Sequence, residues 1–231
     1  MRKQGTVVSA LCATVAAVMT MSCTAPTALQ PPAVPAAPSA VAEVTAAVGV
    51  SGSDFTLVAN SGALIPTGTA LLGERPNDWG CNYDKKAGLM WEVKTASGLR
   101  SRSHTYTWYD SNASTNGGGD GTVSGGSCAV DGRCDTEKFV QDANAARMCG
   151  YSDWRMPSIR ELNSLVLLGV SSANGGGYFP NTASGYFWSA SPVTGILSQA
   201  WTISFIGGTS ATALPYGRDG KYYVRLVRDQ K

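Results

Sequence analysis

The sequence predicts an α+β domain, loop-rich and stapled by two disulfides. Three observations carry this. Two helix signatures stand in mid-chain and short strand-like runs follow them, the order of an α+β domain. Glycine is abundant (27) and charge sparse (15%), a composition that suits strands and loops better than a helical bundle. Four cysteines, Cys81, Cys128, Cys134 and Cys149, follow an export-type leader, and an even count in an exported chain points to disulfides. A length of 231 residues has room for one good-sized domain plus extensions.

The leader occupies residues 1–23. Arg2 and Lys3 supply its charged start, and Val7 to Met21 is mostly apolar but short for a membrane span. Cys23 reads as a bacterial lipoprotein site, with the cysteine becoming the lipidated N-terminus. Thr20 stands three residues before it, where such sites usually carry Leu, so ordinary secretion with cleavage near Ala25 or Ala28 is the alternative. Residues 24–50 are nearly all Ala, Pro, Val, Thr and Ser. They cannot bury a patterned core and read as a disordered, semi-stiff tether. Residues 51–78 read as an extension of the domain, with weak strand character at Phe55, Leu57 and Leu64, and the domain itself as 79–231.

The first clear strand is Gly88 to Lys94, where Leu89, Trp91 and Val93 alternate with Met90, Glu92 and Lys94. Thr105 to Tyr109 is a second aromatic strand-like run. Asn116 to Ser127 is glycine-rich, but no Lys-Ser or Lys-Thr pair follows it, so it reads as a flexible loop and not as a phosphate cradle. Asp135 to Met148 has helical periodicity, with Asp135 or Thr136 as N-cap, Glu137 in the first turn, Gly150 as stop, and Phe139, Val140, Ala143 and Ala146 facing inward. The second helix, from about Ile159 to Leu168, opens on a capping box of Ser158 and Glu161. Pro157 holds Met156 extended just before it. After a glycine loop at 174–177, strands are expected at Tyr186 to Ser189, Ala200 to Phe205 and Tyr222 to Arg228. The last reads as a central strand with long Arg stems along a rim.

The first helix also limits the disulfides. A dozen helical residues span roughly 18–20 Å, whereas bridged Cα atoms lie about 5.5–6 Å apart. Cys134 and Cys149 flank that helix and should not pair. The favoured pairing is Cys128 with Cys134 and Cys81 with Cys149; the other arrangement joins Cys81 to Cys134 and Cys128 to Cys149.

Charge excludes one class of partner. Without Arg2 and Lys3, Lys plus Arg falls from 18 to 16, equal to Asp plus Glu, so a processed chain is formally neutral and nucleic-acid binding is not expected. The single histidine, His104, stands in a polar stretch with no Cys or carboxylate at ligand spacing, so neither a metal site nor a cofactor is expected. No Gly-x-Ser-x-Gly elbow accompanies it. Asp153, Trp154 and Arg155 read as a structural turn, with Asp153 and Arg155 bracing Trp154. The rival reading is a secreted polysaccharide-acting enzyme using Asp153 and Glu161. Trp91, Trp154, Trp188 and Trp201 read as core, while Trp108 and Tyr109 are the better candidates for an exposed platform.

Several segments together resemble one family. They are Gly88-Leu89-Met90-Trp91-Glu92, Thr107-Trp108-Tyr109, Cys149 through Leu162 with its DWRMP core, Tyr178-Phe179-Pro180-Asn181, Phe187-Trp188-Ser189-Ala190, Ala200-Trp201 and Val224-Arg225-Leu226-Val227-Arg228. In this order they resemble the Lcl C-terminal domain family, named for the collagen-like adhesin of Legionella, over roughly residues 79–229. The resemblance implies a C-type-lectin-like fold, related also to the formylglycine-generating-enzyme group, with two helices beside a twisted, mostly antiparallel sheet. It implies a surface or secreted adhesion module that binds a glycan or a surface protein, held to the membrane through an N-terminal lipid, with a homo-oligomer possible. A structural envelope or appendage subunit is a further reading. The family's named member binds sulfated polysaccharide, but the best basic cluster here, Arg218, Lys221, Arg225, Arg228 and Lys231, is diluted by Asp219 and Asp229. A binding site is expected in the loops around Trp108 and Tyr109 and the 206–221 segment, including Arg218 and Lys221. The calcium-binding loop of lectins of this fold and the late cysteine pair of the oxidase branch are both missing from the sequence.

Overall fold

The computed structural model describes residues 54–65, 71–168, 170, 177–207 and 212–230. The leader with Cys23, the tether at 24–50, residues 174–176 of the second glycine loop and residues 208–211 lie outside the described residues.

Strands β1 (Phe55–Ala59), β2 (Leu64–Ile65), β3 (Trp79–Asp84), β4 (Leu89–Glu92) and β8 (Val227–Asp229) form one sheet in the order β2-β1-β3-β4-β8. Strands β5 (Tyr186–Pro192), β6 (Gln199–Ser204) and β7 (Ala213–Gly217) form a second sheet in that order. Every pairing between these strands is antiparallel. The expected single sheet is therefore two. Isolated bridges link them, Tyr106 to Tyr222 and Phe187 to Tyr223, so the 105–109 run and the 222–226 run act as connectors instead of regular strands.

Helix α1 (Thr136–Ala145) starts where its cap predicts: the Asp135 side chain accepts from the Lys138 backbone N–H. It stops at Ala145 because Arg147 turns left-handed (φ 50°), which leaves Ala146 exposed instead of on the inner face. Helix α2 (Ile159–Leu167) has both halves of the capping box. Ser158 accepts from the Glu161 N–H, and Glu161 accepts from the Ser158 N–H. Such a cap contributes about 1 kcal/mol.

The two helices cover different layers. Leu162, Leu165 and Val166 of α2 join Phe55, Trp91, Phe179, Phe187 and Ile203. Phe139 and Ala143 of α1 join Met90, Tyr106, Trp108, Trp154, Trp188 and Leu226. Strand β4 has one face in each layer, so all four of its residues are buried. That is why Glu92 and Lys94, on the polar half of an alternating strand, lie at 0% and 3% exposure.

The disulfides are Cys81–Cys149 and Cys128–Cys134, the favoured pairing. They close stretches of 68 and 6 residues. In the chain-entropy account the first contributes about 4 kcal/mol and the second about 2 kcal/mol.

The sequence underrated three strands. Strand β3 carries Gly80 and Asn82 among its aromatics, and β7 has Pro215 at its centre, so neither shows clean alternation. Strand β1, read as weak, pairs along its whole length with β3. The last strand is shorter than expected and lies at the edge of its sheet, although a bridge from Arg155 to Val227 covers its outer side.

Candidate functional site

The structure separates the expected platform. Trp108 is 1% exposed, with its indole N–H donating to the Ser189 carbonyl. Arg218 is 2% exposed, and its guanidinium lies 4.1 Å over the Trp108 ring. Arg218 also donates to the carbonyls of Gln199, Asn116 and Gly119. The pair pins the Asn116–Ser127 loop to β6 from inside, so neither residue is an exposed contact. The expectation fails because a Trp in an irregular segment looks exposed until the glycine loop folds over it. Tyr109 is half-buried beside Lys138, and Lys221 is exposed on the turn after β7. Trp201, expected in the core, is half-buried, while Trp79 is buried at 7%.

The turn residues are tied to the helix that follows, to the preceding loop and to the last strand. Trp154 is buried, and its indole N–H donates to the Met148 carbonyl. Asp153 takes a two-pronged contact from Arg228, at 2.6 and 3.1 Å. Arg155 donates to both oxygens of Glu161, at 2.9 and 2.7 Å, and to Asp229 at 2.9 Å. Burial pushes the Glu161 carboxyl up, but the hydrogen bonds from Arg155 and Ser158 outweigh it and hold the group below its ordinary value. The Arg155 guanidinium is correspondingly pushed up, first by its hydrogen bond to Glu161.

A buried charged seam runs beneath. Lys94 Nζ lies 2.7 Å from Glu92 Oε1, a close buried ion pair. Glu92 Oε2 accepts from the Leu226 N–H. Arg225, fully buried, lies 4.7 Å over the Phe179 ring and donates to Thr182, while its Nε and Nη1 have no hydrogen-bond partner. It does not run along a rim as a solvated stem would. Burial pushes Arg225 down to about 10 and lowers Lys94, with Glu92 opposing both shifts. His104 is half-buried, its ring within 3.5 Å of the Tyr106 hydroxyl.

The sequence reading missed one surface feature. Tyr186 of β5, Tyr216 of β7 and Tyr222 form a half-buried trio, with ring centroids 4.9, 4.9 and 5.7 Å apart. Ala200 and Thr202, small residues on the strand between, leave room for Tyr186 and Tyr216 to meet across it. The Tyr222 ring packs 5.0 Å from Trp188, whose indole N–H is fixed to the Tyr106 carbonyl. The signal was available in the sequence as three tyrosines, but their convergence depends on the second sheet.

Among the described residues, no group of three or more His, Cys, Asp and Glu is placed to hold a metal ion, and no helix is long and apolar enough to cross a membrane. The two disulfides fit a domain of the extracellular or surface class. The chain belongs to the Lcl C-terminal domain family, whose pattern spans residues 80–228. No curated protein matches it.

Proposed function

We propose that this protein is an exported adhesion module that recognises a glycan at the bacterial surface. A lipid on Cys23 and the 24–50 tether hold it to the envelope. The observation that carries binding over catalysis is the state of Asp153 and Glu161. A general acid must keep a proton at working pH, which requires a carboxyl pushed up. Glu161 is instead held down, with both oxygens taken by Arg155 and Ser158. Asp153 is committed to Arg228 through both of its oxygens.

Two measurements test this. The full chain is applied to an array of surface glycans and, separately, assayed for sugar release from bacterial polysaccharides. The expected outcome is retained binding without turnover. Sugar release that Glu161→Gln abolishes would replace adhesion with hydrolysis. For the anchor, Cys23→Ala should move the protein from the membrane fraction to the soluble one, with loss of fatty-acid label.

A further inference from the structure

We infer that the tyrosine trio Tyr186, Tyr216 and Tyr222 is the carbohydrate site, and that it takes the ring of an uncharged pyranose. This rests on the glycan-binding reading above and specifies where and what kind.

The trio has the chemistry for a sugar ring. A pyranose presents an apolar C–H face and a rim of hydroxyls. Tyrosine supplies a flat ring for the first and a neutral donor and acceptor for the second, at low conformational cost. The Tyr186 ring lies 4.9 Å from that of Tyr216, and the neighbouring phenol pushes Tyr216 up to about 12. Burial likewise raises Tyr222.

The platform is also rigid before any ligand arrives. Tyr216 is set in β7, and Tyr186 in β5. Tyr222 exchanges two backbone hydrogen bonds with Tyr106, at 2.8 and 3.1 Å, and rests on the buried Trp188. Gly220 lets the chain pass against one edge of the Tyr222 ring and hold it, since a Cβ there would lie 2.6 Å from the ring. A surface whose side chains are already ordered gives up little entropy on binding.

Charge selects the class of sugar. Next to Tyr222 in the chain, exposed Lys221 is balanced by exposed Asp219. Arg218 is buried against Trp108, and Arg225 and Arg228 are buried too, so among the described residues of the basic cluster only Lys221 is exposed. An uncharged hexose meets a near-neutral rim.

The test uses the full chain on an array of neutral, sialylated and sulfated glycans, followed by calorimetric titration of the neutral hits. Tyr216→Ala and Tyr222→Ala should each weaken neutral-glycan binding by about tenfold or more, the usual loss at a central aromatic contact. Tyr216→Phe should lose less, and Lys221→Ala should leave neutral binding unchanged. Thermal melts of each variant separate loss of the site from loss of the fold, and Tyr216→Phe, which removes one hydroxyl only, keeps the idea testable if the alanine variants unfold. If the wild type binds no glycan, the adhesion reading itself fails. If it binds neutral glycans equally well with the trio altered, the adhesion reading stands and the assignment of the site falls. Binding confined to sulfated glycans and abolished by Lys221→Ala overturns the choice of an uncharged sugar. A change of mass in light scattering with Tyr216→Ala, at unchanged glycan binding, would make the trio a contact between copies of the chain and also overturn the proposal.

Discussion

Glu92 and Glu161 each hold a cation at 2.7 Å, Lys94 in one case and Arg155 in the other. The side chain of Glu92 is 0% exposed and that of Glu161 23%. Glu92 is the acidic partner of the buried seam that also contains Arg225, and its removal leaves cations with no solvent to turn to. Glu161 is at a helix start, where water and the backbone can take over much of its work. Equal contact distances thus describe unequal dependence: burial decides what a charge is worth when its partner is taken away.

Glu92→Gln is expected to give the largest loss, about 3–5 kcal/mol in urea unfolding, because it strands Lys94 and Arg225 in the core. The double variant Glu92→Gln/Lys94→Met should recover part of that loss. No recovery would mean that the seam is not coupled through charge. Glu161→Ala comes next, at about 1–2 kcal/mol, the scale of a lost cap with its ion pair. Its folded-state carboxyl is depressed, so its contribution is fully present above the unfolded carboxylate value and is lost as pH falls through the lower folded value. Acid titration of stability should therefore be shallower in Glu161→Ala than in the wild type; parallel acid limbs would remove Glu161 from the account. Asp229→Ala should cost least, under about 1 kcal/mol, since Asp229 is well exposed and Arg155 keeps Glu161. A loss from Asp229→Ala as large as that from Glu92→Gln would erase the contrast between seam and rim.

Legibility in the sequence followed the range of the interactions. The capping box at Ser158 and Glu161 and the Asp135 cap were readable because each joins residues three apart. For the disulfides, the helix between Cys134 and Cys149 is a ruler that excluded that pair and left two arrangements, of which the favoured one is found. Strands β3 and β7 were not, since Gly80 and Pro215 break their alternation and only the neighbouring strands supply the register. The sorting of the aromatics failed at two places: Trp108 went under the glycine loop, and Trp201 is only half-buried.

By itself, the sequence determined the α+β class, the helix starts, the exclusion of a Cys134–Cys149 bond and the family to which the ordered motifs belong. These depend on local hydrogen bonding, on chain length along a helix, and on residue order. Tertiary structure alone decided which charges are buried and which aromatics meet. Glu92 became a core group only when α1 closed over the second face of β4. Tyr186, Tyr216 and Tyr222 became neighbours only when three strands and a connector were laid side by side. Exposure and proximity belong to packed surfaces, and no short stretch of chain contains either.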